Sequence, residues 1–337
     1  MAHFDKSYSA VATLGRRFAA GLSVPSPNLT FLSVQHNPSP VLVVDDDRDQ
    51  EADEFAGLTR RNSLSPSRAS DFMSCPLLYR FRVIDKLPEA PSIDAVRGSV
   101  VHKVLEDLFD LPSTDRTHER ANALLPGAWQ QLLDAEPELA EMFDRPGAEG
   151  ESTGPDLLSW LDQCRALLGR YFTLEDPRRL EPAEREVHVI TQLDTGLHLH
   201  GYIDRVDVAP TGELRIVDYK TGKSPGEYFE AKALFQMKFY ALVVWRTRGV
   251  LPRMLQLVYL GNGEMLRYEP TEHDLLATER KVRALWDAIS RANETGDWRP
   301  HKSVLCGWCD HKALCPAWGG TPPPLPATAS PLETSPS

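Results

Sequence analysis

The residues best placed to do chemistry are Asp204, in GYIDRVD, and the pair Asp218 and Lys220, in VDYKTGK. Asp218 and Lys220 are two apart at the end of an expected strand, so their side chains leave the same face of the sheet. A turn at Pro210 to Gly212 lies midway between Asp204 and Asp218, so a hairpin brings the two carboxylates level. Paired carboxylates bind Mg2+ or Mn2+, and an ammonium beside them orients a water or offsets charge on a phosphate. That is the set that phosphodiester hydrolysis needs. A plain ion pair between Asp204 and Lys220 across the hairpin would use the same residues. Against it, Asp218 follows Ile216 and Val217 and Asp204 follows Ile203, which puts both acids at the edge of apolar runs.

Gly222-Lys223-Ser224 resembles the end of a phosphate-binding loop. Such a loop needs a glycine five positions earlier, where this chain has Val217, so the segment is expected to be a turn leaving the sheet. Two helices supply further candidates. His102 and Glu106 share a face of RGSVVHKVLE, where the imidazole can add a metal ligand. Gln236 and Tyr240 share a face of the helix after Lys220, where an amide and a phenol hold a DNA strand or brace a metal site.

Cys306-Gly-Trp-Cys309 followed by Cys315 places three thiols in a ten-residue loop, and Cys75 is the distant fourth. Four thiolates hold Zn2+ or an iron-sulfur cluster, and their softness does not separate the two. Either centre would staple the first helix to the C-terminal loop. The fifth cysteine, Cys164, sits between Leu161 and Leu168 and reads as a core residue.

The elements that must position these groups can be read from periodicity. Ser65 caps a helix with Pro66 in its first turn, and Gly98 to Phe109 is a second helix. Residues 110–180 read as an inserted helical layer, broken by the loop DRPGAEGESTGPD. The period then changes to two over 186–192, 197–208 and 213–220, separated by hairpin signals, which gives three antiparallel strands. A helix over 234–244, a strand over 254–260 and a long helix over 271–293 complete an α/β core of helix, three-strand meander, helix, strand.

Composition bounds the rest. The chain has 337 residues, 42% apolar and 8% aromatic, which is an ordinary globular make-up. No run approaches the roughly 18 apolar residues of a membrane span, and no secretory signal is visible, so a cytoplasmic protein is expected. The net charge of −11 argues at first against nucleic acid. Residues 1–57 carry −4 of it and residues 110–156 carry −8, which leaves the remainder at about +1. A local basic groove is compatible with that distribution. Residues 1–57 read as a weakly ordered acidic extension, 58–318 as the folded domain, and 319–337 as a disordered Pro/Ser/Thr tail.

Taken in order, LSPSRASDFMSCPLLYRF, RGSVVHKVLE, GYIDRVD, VDYKTGK, QMKFY and CGWCDHKALC resemble RecB-type exonucleases of the PD-(D/E)XK superfamily, in the branch with a C-terminal iron-sulfur cluster. The resemblance covers roughly 64–318. It implies a restriction-endonuclease-like core in which His102, Asp204 and Asp218 bind the catalytic Mg2+ or Mn2+. It gives Lys220 the attacking water or the transition state, with Gln236 and Tyr240 as the family's helix motif. It also implies that Cys75, Cys306, Cys309 and Cys315 ligate a structural 4Fe-4S cluster, in a loop over 300–318. Glu186, which opens the first strand, is a further residue expected to face the same site.

The activity expected from these residues and this resemblance is that of a metal-dependent exonuclease acting on single-stranded DNA or DNA ends, in repair or recombination. The family often fuses this nuclease to a helicase. This chain has no complete phosphate loop, so it is expected to work alone or with a separate motor. CRISPR-adaptation nucleases share the same motifs and cluster. A non-catalytic DNA-binding or scaffold module is the alternative of another class, and the intact Asp204, Asp218 and Lys220 speak against it.

Overall fold

The computed structural model describes residues 62–143 and 155–326, at 227–229 by their backbone alone. The acidic extension expected over 1–57, most of the loop at 144–156 and the tail from 327 lie outside the described residues. Along the chain run β1 (Ser63–Leu64), α1 (Pro66–Ser74), α2 (Pro76–Tyr79), α3 (Ile93–Leu108), α4 (His118–Ala135) and α5 (Leu157–Leu174). Then come β2 (Glu184–Gln192), β3 (His198–Val208), β4 (Leu214–Lys220), α6 (Glu227–Arg248), β5 (Met254–Tyr259), β6 (Glu264–Tyr268) and α7 (Glu272–Thr295).

The alternating segments form the expected meander, with β2 antiparallel to β3 and β3 antiparallel to β4. β5 lies parallel to β4, which requires a crossover, and α6 supplies it. β6 extends the sheet beyond β5, and the two-residue β1 pairs in parallel with the start of β3. Neither of these short strands is expected from the sequence. β1 has too few residues to show a period, and β6 alternates only partly buried side chains.

Helices cover both faces of the sheet. Ile216, Leu255 and Leu257 pack with α1, α6 and α7, while Val217, Tyr219 and Val258 pack with α3, α4 and α5. A strand buried on both faces is apolar at successive positions, which explains the run Ile216-Val217. Cys164 sits in the second of these cores and is fully buried, as a packing residue should be. α6 is buried along Met237, Phe239, Ala241, Leu242, Val243 and Val244, and it ends at Gly249 with φ 68°. α7 starts at a capping box, in which Thr271 and Asp274 satisfy each other's backbone N–H groups. No helix among the described residues is long and apolar enough to cross a membrane.

The C-terminal segment returns to the first helices. Trp298 stacks on Tyr79 with centroids 5.9 Å apart and meets Phe72 edge-on. Farther on, the Pro323 carbonyl accepts from Arg80 and Leu325 packs on the core, so the proline-rich stretch touches the fold through these residues.

Candidate active site

The site forms where β3 and β4 part. Their last pair is Arg205 with Val217, and beyond it Tyr219 has no pair on β3. The Asp204 carboxylate takes the Tyr219 N–H, accepting it on Oδ2 at 2.6 Å. A sheet defect thereby becomes a fixed carboxylate, because a buried backbone N–H must be satisfied.

Glu186 belongs to the same defect. The β2–β3 register pairs Arg185 with Arg205 and Val187 with Ile203, which leaves Glu186 across from Asp204 with no regular ladder pair between them. Glu186 has φ 43°, a left-handed conformation that costs a non-glycine residue about 1–3 kcal/mol. Like charges opposed across two strands add to that cost. His102, on α3, sits over both acids: its Nδ1 is 3.5 Å from Asp204 Oδ2 and 4.0 Å from Glu186 Oε1. Ligand atoms of His102, Glu186 and Asp204 all lie within 4.8 Å of one another, and they form the one such group among the described residues.

Asp218 and Lys220 leave one face of β4 as expected. Lys220 Nζ lies 2.6 Å from Asp218 Oδ2, a charge contact off the direction of a hydrogen bond, and donates to Gln236 Oε1 at 3.1 Å. Gln236 Nε2 donates to Asp218 Oδ1 at 3.0 Å and to the Tyr240 hydroxyl at 3.1 Å. The amide therefore braces the acid and the lysine together, and Tyr240 sets the amide's orientation. Tyr240 reaches this position because Gly201 has no side chain. A Cβ at Gly201 would stand 2.7 Å from Tyr240 Cε1. Asp218 lies outside the His102, Glu186, Asp204 group but within its field.

The electrostatics come from burial and crowding. Burial, then the Asp204 charge, pushes Glu186 up to about 7. Burial also pushes Asp218 up to about 6, helped by Asp204 and opposed by Lys220. Burial works against a charged His102, yet Asp204 beside it, with Asp218 and Glu186 behind, drives it up to about 9. Three carboxylates held together this way call for a cation, and two oxygens plus an imidazole nitrogen suit a divalent one.

Other expectations divide. Glu106 shares the His102 face but pairs with Lys103 at 3.1 Å and stays out of the ligand group. The Gly222-Lys223-Ser224 turn is no phosphate cradle. The Ser224 N–H is held by Asn262 Oδ1 at 3.1 Å, and a Cβ at Gly261 would strike the Gly222 carbonyl. Arg205, beside Asp204, was not anticipated from the sequence. It is fully buried, bonds Glu175 through two nitrogens at 2.8 and 2.9 Å and donates to the Tyr219 hydroxyl at 2.5 Å. It thus anchors the residue whose N–H holds Asp204. An arginine at period two with the apolar Leu199 and Ile203 is the signal that could have found it.

A cleft of about 860 Å³ opens over these groups. His102, Lys220 and Gln236 line it, joined by Arg68, Lys223 and Lys232, and among the described residues no acid does. The four cysteines line a separate cavity of about 60 Å³. Backbone N–H groups point at two of the sulfurs, from His301 to Cys75 at 3.3 Å and from Ser303 to Cys306 at 3.4 Å.

Residues 63–316 match the profile of a family described as the PD-(D/E)XK nuclease superfamily. The chain is 32% identical to the Gene 69 protein of Mycobacterium phage L5, over 75% of this chain and 96% of that protein. It is 28% identical to the Gene 69 protein of Mycobacterium phage D29, with the same coverage of both. A solved structure from Eubacterium rectale, provisionally described as an exonuclease, aligns with a TM-score of 0.49 and 16% identity, over 81% of this chain and 94% of that one.

Proposed function

The chain belongs to the PD-(D/E)XK nuclease superfamily, and from that premise we propose that it is a divalent-metal-dependent DNA exonuclease acting on single strands or ends. The observation that carries the reading is the meeting of His102, Glu186 and Asp204 with the Asp218–Lys220–Gln236 network beneath one cleft lined by Arg68, Lys223 and Lys232. His102, Asp204 and Asp218 are the metal ligands in this reading, and Glu186 joins them. Bound there, Mg2+ or Mn2+ supplies charge neutralisation for a phosphate oxygen and a more acidic water. Lys220, held at a fixed angle by Asp218 and Gln236, orients the attacking water or meets the charge that grows on the phosphate. Gln236 and Tyr240 position that ammonium.

The RecB-type, iron-sulfur assignment rests on the cysteine cavity. Cysteines that line one cavity, two of them accepting backbone N–H bonds, suit a 4Fe-4S cluster, with zinc as the alternative at the same thiols. In this reading 58–318 is the nuclease domain, 110–180 its helical insertion and 300–318 the cluster loop. The enzyme acts in the cytoplasm in DNA repair or recombination, with or without a separate helicase, and a role in CRISPR adaptation is the neighbouring possibility.

The test is an assay of anaerobically purified protein with Mn2+ or Mg2+ and end-labelled single and double strands, beside Asp218→Ala and Lys220→Ala. Equal cleavage by all three proteins would sink the catalytic assignment and leave a binding or scaffold module. An absorption spectrum without a band near about 400 nm, with one zinc per chain, would sink the cluster.

A further inference from the structure

Four lysines of this acidic protein lie along a connected path without a salt-bridge partner. Among the described residues, Lys223, Lys232, Lys302 and Lys312 are in no ion pair, as are Lys86 and Lys281 off this path, whereas Lys103, Lys220 and Lys238 each meet a carboxylate. Lys223 and Lys232 line the cleft over the candidate active site. Lys232 leaves the cleft by donating to Ser74 Oγ at 3.1 Å, and Ser74 already lines the cysteine cavity. The Ser74 carbonyl meets His301 Nδ1 at 3.0 Å, and next to His301 stands Lys302.

At that end the ammonium groups are gathered by an aromatic ring. Lys302 Nζ and Lys312 Nζ sit 4.8 and 4.3 Å from the centre of the Trp318 ring. The ring holds both charges at the surface without neutralising them. Between them in sequence, Trp308 is 80% exposed and Val304 is 76% exposed. Residues 297–320 carry Arg299, Lys302 and Lys312 against Asp297 and Asp310, and Asp297 pairs with Arg299, so Lys302 and Lys312 are the lysines left without an ion pair.

Unpaired lysines with an open indole are the elements of a single-strand platform, in which ammonium groups take phosphates and an aromatic ring takes a base. We propose that single-stranded DNA runs from the active-site cleft across Lys232 to a platform made of Lys302, Lys312 and Trp308. The cysteine loop then grips the strand while its other part lies at the metal site. This inference rests on the nuclease reading above and adds to it where the uncut strand is held. A protein partner docking on Val304 and Trp308 would need no row of free ammonium groups leading back to the cleft.

The experiment measures fluorescence anisotropy of a labelled oligothymidylate of about 20 nucleotides, long enough to span several phosphate contacts, beside one of about four. EDTA in the buffer prevents cleavage, and salt is varied. For Lys302→Gln with Lys312→Gln, the slope of log affinity against log salt should fall by about 0.7 for each lysine, with the long strand only. Trp308→Ala should lower affinity for the long strand about tenfold, and Trp308→Phe should restore it. The short strand should bind all variants like wild type. Retained metal or cluster content and an unchanged far-ultraviolet spectrum exclude loss of the loop's fold as the cause. If wild type cleaves DNA but these variants bind the long strand as it does, the platform is wrong and the nuclease reading stands. If wild type neither binds nor cleaves DNA, both fall.

Discussion

The Asp204 carboxylate holds the Tyr219 N–H at 2.6 Å at the point where β3 and β4 stop pairing. One side chain therefore closes a sheet defect and faces the candidate metal site. The two tasks separate by substitution. Asp204→Asn keeps an oxygen for the N–H and loses the charge, so it should melt near wild type while cleavage falls by more than the roughly 10–100-fold typical of losing a group behind a metal ligand. Asp204→Ala also orphans the buried N–H and should cost about 1–3 kcal/mol more. Thermal denaturation and cleavage rates of the pair check this, and equal stability of the two variants would refute the structural task.

The crowded acids make stability depend on pH in the metal-free protein. Glu186 is pushed up to about 7 and Asp218 to about 6, above their ordinary values of 4.5 and 3.8. The native state then binds more protons than the unfolded chain between about pH 4 and 7, so stability falls as pH rises through that window. His102, raised from 6.5 to about 9, acts in the same sense, since its contribution is full below 6.5 and is lost as pH rises through 9. Mn2+ should consequently raise the melting temperature more at pH 8 than at pH 5.5, where protons compete for its ligands. Glu186→Gln should raise the metal-free melting temperature at pH 8. A metal response that does not depend on pH would show that these groups do not hold it.

Period and spacing carried much of this architecture. The meander, α6, β5 and the cap at Thr271 are legible because alternation and capping are local. Asp218 and Lys220 are legible for the same reason, being two apart on one strand. Glu186 is harder to read. Its place depends on a register that sets it across from Asp204 and on a left-handed backbone that no residue type announces. Gln236 could be placed on the correct face of its helix, but which groups it bonds depends on how α6 crosses β4. Arg205 escaped because its partners, Glu175 and Tyr219, come from two separate elements.

Gly201 tests the packing behind Gln236. A Cβ there would stand 2.7 Å from the Tyr240 ring, and Pro66 Cδ lies 3.4 Å away on the crowded side. Gly201→Ala should therefore cost about 1–3 kcal/mol by overpacking. Displacing Tyr240 releases Gln236, so the cleavage rate should fall while affinity for DNA stays near wild type. Gly201→Ala combined with Tyr240→Leu, which removes the hydroxyl and trims the ring, should regain stability but not rate. Urea midpoints and single-turnover rates distinguish the two effects. A Gly201→Ala enzyme as fast as wild type would show that Tyr240 does not set the amide.

Arg205 offers the largest single effect on stability. Its guanidinium is fully buried, and burial would push Glu175 up were Arg205 not holding that carboxylate below its ordinary range. Arg205→Met strands Glu175 with Gln256 as its remaining donor, at 2.9 Å, and should cost about 3–5 kcal/mol. Replacing both members, Arg205→Met with Glu175→Leu, removes the stranded charge and should recover most of that loss. The double variant still lacks the donor to the Tyr219 hydroxyl, so the backbone that presents its N–H to Asp204 is less firmly held. Stability should return while cleavage remains slow. Denaturation midpoints and cleavage rates of the single and double variants decide the matter: full recovery of both would reduce Arg205 to a packing residue, and recovery of stability alone would make it a positioning residue for Asp204.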